Sequence, residues 1–301
     1  MKILISGSKG QLGNELQLML AAGASEIGPL PQGVQGAEVA CYDIDTLDIT
    51  DLDAVRGVMR IEEPDVVINC SAFTNVDGCE RDTDAAFRAN ALGPRNLAMA
   101  CTETGAKLIH VSTDYVFSGA PNGEVPLDET ALPAPVSAYG KTKLLGEEYV
   151  RAQCPRSFVV RTAWLYSKFG KNFVFTMMNA GKKLGALTVV NDQLGNPTYA
   201  VDLGHHLLKL AVSEEYGTYH CTNNGVCSWY DFTQEIMHLS GTAATVTPCT
   251  SDEYAAAHPE AARRPAWSAL ENRMLRCTVG DEMRSWQNAL QSFFAHYKPE
   301  E

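Results

Sequence analysis

No apolar run in the sequence approaches the roughly 20 residues that a membrane-spanning helix needs, so no such helix is expected. Cys-x-x-Cys pairs are also missing, and the nine cysteines are odd in number and scattered. A disulfide framework or a zinc site is therefore not expected, and the cysteines read as reduced, buried small hydrophobes. Positive charge is scarce: 24 Lys and Arg against 36 Asp and Glu leave a net charge of −12. That balance argues against broad binding to DNA, RNA or anionic membrane. An anionic ligand must be met locally, by backbone amides or a few arginines. The opening "MKILISGSKGQLG" places glycine and polar residues where a signal peptide would continue its apolar stretch, so a cytoplasmic protein is expected.

What the 301 residues do contain, with 45% hydrophobic and 20% charged side chains, is the composition of a soluble globular protein. The first half alternates apolar runs with amphipathic stretches. Strands are expected over Lys2–Ser6, Ala37–Asp43, Asp65–Ala72, Lys107–Thr113 and Ser157–Trp164. Helices are expected from Gln11, over Thr50–Glu62, from Ala85, and through "YGKTKLLGEEYV". Continuous apolar strands separated by helices predict an α/β, doubly wound parallel sheet with both faces covered. The expected division is a dinucleotide-binding region over 1–165, whose core also takes later strands, and a smaller α/β substrate-binding region over 166–301. The latter should hold helices over Asn172–Lys182, Val201–Ser213, Trp229–Leu239 and Glu282–Tyr297 and short strands such as "ALTVV" and "GTYHC".

Gly7, Gly10 and Gly13 fall between the first strand and the first helix. There, glycines permit a tight turn, let a pyrophosphate approach the backbone and let helix pack on strand, while the helix N-terminus faces the anion. The G-x-x-G-x-x-G spacing resembles the short-chain dehydrogenase/reductase superfamily. Asp43, ending the second strand, is the candidate partner of the adenosine ribose hydroxyls. It favours NADH, although Lys9 in the loop leaves NADPH open. Asp48 could contact adenine or cap the helix from Thr50.

Tyr139 and Lys143 stand four residues apart, on one face of a helix. A free phenol has a pKa near 10, and a neighbouring ammonium favours the phenolate. Thr113, at the carboxyl end of the fourth strand, supplies a hydroxyl for a substrate oxygen. Asn90 stands where the superfamily uses an asparagine to organise a proton path, or is a mid-helix polar residue bonding locally.

The stretches "GQLGNEL", "LDITD", "PDVVINCSAFTNVDGCE", "STDYVFSG", "YGKTKLLGE", "VVRTAWLYS", "NDQLGNPT", "SWYDF" and "ARRP", in that order, resemble the dTDP-4-dehydrorhamnose reductase family over nearly the whole chain. The resemblance implies NADPH or NADH as cofactor and a nucleotide 4-keto-deoxysugar as substrate. It implies that Gly10, Gln11 and Leu12 contact the cofactor phosphates, that Asp48 and Ile49 flank adenine, and that Ala72, Phe73, Thr74 and Val111 line the cofactor. Tyr139 and Lys143 would hold the nicotinamide ribose, and Thr113, Asp114 and Trp164 would meet the sugar nucleotide. Gly170–Asn172, with Asn172 as a candidate contact, and Arg263–Arg264 would line its nucleotide end, the arginines matching a diphosphate or forming surface salt bridges. Some members bind Mg2+ at a dimer contact through glutamates. Glu15 matches one such position, but Val201 stands where another acid would be, so no metal is expected, and the chain is expected as a monomer or homodimer.

Related activities share this fold. A 4,6-dehydratase would carry Thr-Asp-Glu where this chain has Tyr115 after Asp114, and the "NDQLGNPT" and "ARRP" segments point away from a 4-epimerase. A non-catalytic dinucleotide-binding subunit, like that of methionine adenosyltransferase, is the non-enzyme alternative.

Overall fold

The computed structural model describes residues 1–120, 125–259, 262 and 264–297. Strands β1 (Lys2–Ser6), β2 (Glu38–Tyr42), β3 (Val66–Asn69), β4 (Lys107–Thr113) and β5 (Ser157–Thr162) form a parallel sheet with a sixth strand, Gly217–His220. Their order is β2-β1-β3-β4-β5 followed by Gly217–His220. The chain therefore reverses its direction of travel between β1 and β3, and ligands of such sheets collect at that switch point.

Alternation along the strands serves both faces. Ile3, Ile5, Ile68, Ile109 and Val160 pack with α1 (Gln11–Ala22) and the helix Ala200–Ala211. Leu4, Val67, Leu108 and Val159 pack with α2 (Leu52–Glu62) on the other face. Beyond these apolar positions the strands carry buried polar residues that are paired: Asn69 with His110 at 3.0 Å, and Arg161 with Glu147 at 2.7 Å. "ALTVV" forms a strand, Ala186–Val190, but it pairs in parallel with Thr245–Cys249 outside the central sheet. Among the described residues no helix is long and apolar enough to cross a membrane, and the nine cysteines are unpaired.

Several boundaries differ from the sequence reading for local reasons. β3 ends at Asn69 because its side chain accepts the Ser71 N–H at 3.0 Å and turns the chain. β5 ends at Thr162 because Trp164 adopts φ +48°, a left-handed backbone costing about 1–2 kcal/mol in an L-residue. α2 begins at Leu52 because Asp51 is its cap, accepting from Asp53 and Ala54 N–H groups. The last helix runs Trp286–His296 because Ser285 caps it, accepting from Asn288 N–H.

The expected long helix from Ala85 is three pieces. A short α4 (Thr83–Phe87), preceded by α3 (Val76–Arg81), passes into a π turn over Arg88–Leu92 and then α5 (Gly93–Thr104). The π turn carries Asn90, whose side chain is drawn off to the loop after β3. The active helix, α6 (Ala138–Gln153), packs against α5 and that π turn.

Candidate active site

The glycine loop is a cradle that side chains would fill. Gly7 has φ +72°, and a Cβ there would lie 2.8 Å from the Cys70 carbonyl carbon and the Ser71 nitrogen. A Cβ on Gly13 would lie 2.4 Å from the Gly7 oxygen. Gly10, the cap residue of α1, places no side chain on the first N–H groups of the helix, which leaves them to an anion. This geometry fits the diphosphate of a dinucleotide. Ala72, Thr74 and Val111 line the same cleft of about 500 Å³ with Gly7, Gly10, Gln11 and Leu12.

Other expected cofactor residues lie around this cleft rather than in its wall. Phe73 turns its ring toward Gly78, and its backbone is clamped by Asn90, which accepts from Phe73 N–H at 2.8 Å and donates to its carbonyl at 3.1 Å. Asn90 thus fixes the loop after β3. Asp43 accepts the Lys9 backbone N–H at 2.8 Å, tying the end of β2 to the glycine loop. Asp48 is exposed and accepts the Thr50 N–H, while Ile49 is buried against Gly93.

Ser137 caps α6, and Gly140 lets the helix press on the turn after β4, because a Cβ there would meet the Tyr115 oxygen at 2.1 Å. That contact sets Tyr139 beside Thr113. Removal from water pushes the Tyr139 phenol up, and the Thr113 hydroxyl works against that shift. Lys143 is buried and donates to the Val111 carbonyl at 2.7 Å. Burial lowers its pKa to about 8, with the Glu147 charge acting in the opposite direction. Glu147, one turn further along α6, is fully buried and receives Ser112 at 2.6 Å and Arg161 at 2.7 and 2.9 Å. Although burial pushes its carboxyl up, the Arg161 guanidinium holds it below the usual range. Tyr139, Lys143 and Glu147 therefore form one stripe on α6 at i, i+4 and i+8.

Thr113 donates to Asp114 Oδ1 at 3.0 Å, and Asp114 Oδ2 is buried without a hydrogen-bond partner. Burial raises this carboxyl to about 6, tempered by the nearby Ser268 and Thr113 hydroxyls. A buried oxygen that lacks a donor, beside Thr113 and Tyr139, has room to accept a hydrogen bond. Trp164 lines the cleft with its indole stacked on Trp229, centroids 3.4 Å apart and planes 8° from parallel. Trp229 was given no role by sequence reasoning. The helix over Trp229–Leu239 was expected, and the structure starts it with a Ser228–Asp231 capping box, but the fold that brings it to Trp164 was not visible.

Trp229 and Arg264 also line a second cavity of about 540 Å³, walled by Phe173, Met177, Val190 and Tyr254. The two cavities thus share a wall. Gly170 and Lys171 reach the cleft, whereas Asn172 does not. Its amide caps the helix Phe173–Leu184 and donates to Gln11 Oε1 at 3.1 Å and to the Ser167 carbonyl at 2.7 Å. Arg263 lies outside the described residues. Among the described residues no group of three or more His, Cys, Asp or Glu is placed to hold a metal ion. Glu15 is buried and accepts the Ser167 hydroxyl.

Comparison with known proteins adds relatives that span the full length. Residues 1–298 match the family described as RmlD substrate binding domain. A dTDP-4-dehydrorhamnose reductase of Mycolicibacterium smegmatis is 39% identical, covering 98% of this chain and 85% of that protein. Among solved structures, a dTDP-4-dehydrorhamnose reductase of Clostridium acetobutylicum is 46% identical with a TM-score of 0.89, covering 98% of this chain and 99% of that one. The enzyme of the same name from Bacillus anthracis, solved in complex with NADP, is 38% identical with a TM-score of 0.89, covering 99% and 100%.

Proposed function

The chain belongs to the dTDP-4-dehydrorhamnose reductase family, and from that membership we propose that it reduces the 4-keto group of dTDP-6-deoxy-L-lyxo-4-hexulose to give dTDP-L-rhamnose, using NADPH or NADH. The observation that carries this reading is the meeting of Thr113, Tyr139 and Lys143 at one end of the glycine cradle. The cavity beyond Trp229, walled by Phe173, Met177 and Tyr254, is then the place for the nucleotide base, and Arg264, between the two cavities, for its diphosphate.

When bound, the reduced nicotinamide supplies a hydride to the ketone carbon. The chain's own residues do the rest. Asp114 accepts a sugar hydroxyl on its unpartnered oxygen, which draws the Thr113 hydroxyl less strongly toward the carboxylate. Thr113 can then donate to the ketone oxygen, and Tyr139 gives its proton to that oxygen as negative charge develops. Lys143, as ammonium, favours the phenolate that remains. Trp164 supplies an apolar face to the sugar ring, and Trp229 holds that indole in place.

The test is the oxidation of NADH or NADPH that depends on this keto sugar, measured for the wild type and for Tyr139→Phe. Loss of the proton donor is expected to lower kcat about 10²–10⁴-fold with cofactor binding retained. A Tyr139→Phe chain that turns over at the wild-type rate would overturn the assignment.

A further inference from the structure

The adenosine end of the cradle carries an ion pair that the reduction reaction does not use. β2 runs beside β1, and its end is stitched to the glycine loop: the Ser8 N–H donates to the Tyr42 carbonyl at 3.0 Å and the Lys9 N–H to Asp43 Oδ2 at 2.8 Å. In this class of sheet the adenosine ribose falls against that strand end. Asp43 accepts one more donor, the Ile44 N–H at 2.9 Å, so a carboxylate with about four acceptor positions keeps room for ribose hydroxyls. The cation of the loop, the Lys9 ammonium, is turned to Asp45 Oδ2 at 2.5 Å, both side chains being more than half exposed. The charges that act on Lys9 are Asp45 and Asp43.

We propose that the Lys9–Asp45 pair, with Asp43, makes this chain prefer NADH over NADPH, and that Asp45 is the residue that decides the preference. The inference rests on the dinucleotide-binding part of the function proposed above. A 2′-phosphate brings close to two negative charges to a corner that holds two carboxylates and one ammonium, and the ammonium is already paired. Binding the phosphate requires Lys9 to leave Asp45 and leaves Asp45 facing an anion. A 2′-hydroxyl meets Asp43 as a donor and disturbs neither partner. At separations near 4 Å in a water-like medium each like-charge contact is worth about fivefold in affinity, so discrimination on the order of tenfold or more is expected for a doubly charged group.

Calorimetric titration of the purified full chain with NADH and with NADPH, without sugar nucleotide, tests this. The expected result is an NADH Kd at least about tenfold below the NADPH Kd at low salt, with the gap shrinking as salt screens the exposed charges. Asp45→Asn should narrow the ratio of the two Kd values by about five- to tenfold by freeing Lys9. The double variant Lys9→Ala/Asp45→Asn should lose that gain. NADPH binding as tight as NADH in the wild type, or a ratio unmoved by Asp45→Asn, would overturn the proposal. Binding of both cofactors with the expected ratio, but without reduction of the keto sugar, would sink the enzymatic reading alone. Binding of neither would sink both.

Discussion

Replacing Asp114 by Asn should make the free protein more stable at neutral pH and less active. The carboxyl is 2% exposed, one of its oxygens has no partner, and burial raises it from 3.8 to about 6. A shift of about two units at 1.36 kcal/mol each corresponds to about 3 kcal/mol, and burial leaves little solvent screening to discount. The sign follows from linkage: between the unfolded value and about 6 the folded state binds more protons than the unfolded chain, so stability falls as pH rises through that window. The whole deficit is present above about pH 6, and none of it below the unfolded value. Asn has the same shape and does not titrate, and the Thr113 hydroxyl can accept from its amide. For a chain of this length about 3 kcal/mol corresponds to about 4–5 °C in Tm. Thermal melts of the wild type and Asp114→Asn from pH 4 to 8.5 should therefore diverge upward with pH, the variant melting higher at pH 8 and equal near pH 4. A Tm difference independent of pH, or a variant that melts lower at pH 8, would refute the reasoning. In activity the same change should lower kcat/KM for the keto sugar, because an amide presents the ligand hydroxyl with a single acceptor oxygen.

The alkaline side of the pH profile should report Lys143: kcat/KM is expected to fall above about pH 8, as the buried ammonium loses its proton, and a profile flat to pH 9.5 would remove it from the mechanism. Glu147→Gln strands the buried Arg161 guanidinium and should cost about 3–5 kcal/mol in urea unfolding; Glu147→Gln/Arg161→Met, which removes both charges, should recover most of that loss, and an unstable double variant would contradict the account.

How much of this was readable beforehand differs by residue. The strands were legible because burial on both faces forces continuous apolar runs, as in "DVVIN" and "KLIHV". That Thr113, Tyr139 and Lys143 would face one cleft was legible because a strand end and an i, i+4 helix pair fix direction locally. That Asn172 caps the helix Phe173–Leu184 and donates to Gln11 was not legible, because only the fold brings Gln11 beside it. Trp229 was missed because its partner Trp164 is 65 residues away in sequence and held by a left-handed backbone that no residue type announces. The ion pair of Lys9 with Asp45 was equally hidden, since a loop lysine can turn to either of two nearby acids.

The π turn over Arg88–Leu92 acts as a phase shifter in the rod that runs from Thr83 to Thr104. One extra residue in a helix rotates everything beyond it by about 100°, so the part of the rod after the turn presents a different face from the part before it. The later end keeps its apolar stripe on α2, while the turn itself points Asn90 at the loop after β3 and sets its carbonyl on Gly146 of α6, where an added Cβ would lie 2.2 Å away. A single rod thus braces α6 along its π turn and its later end while also meeting α2 and the loop after β3.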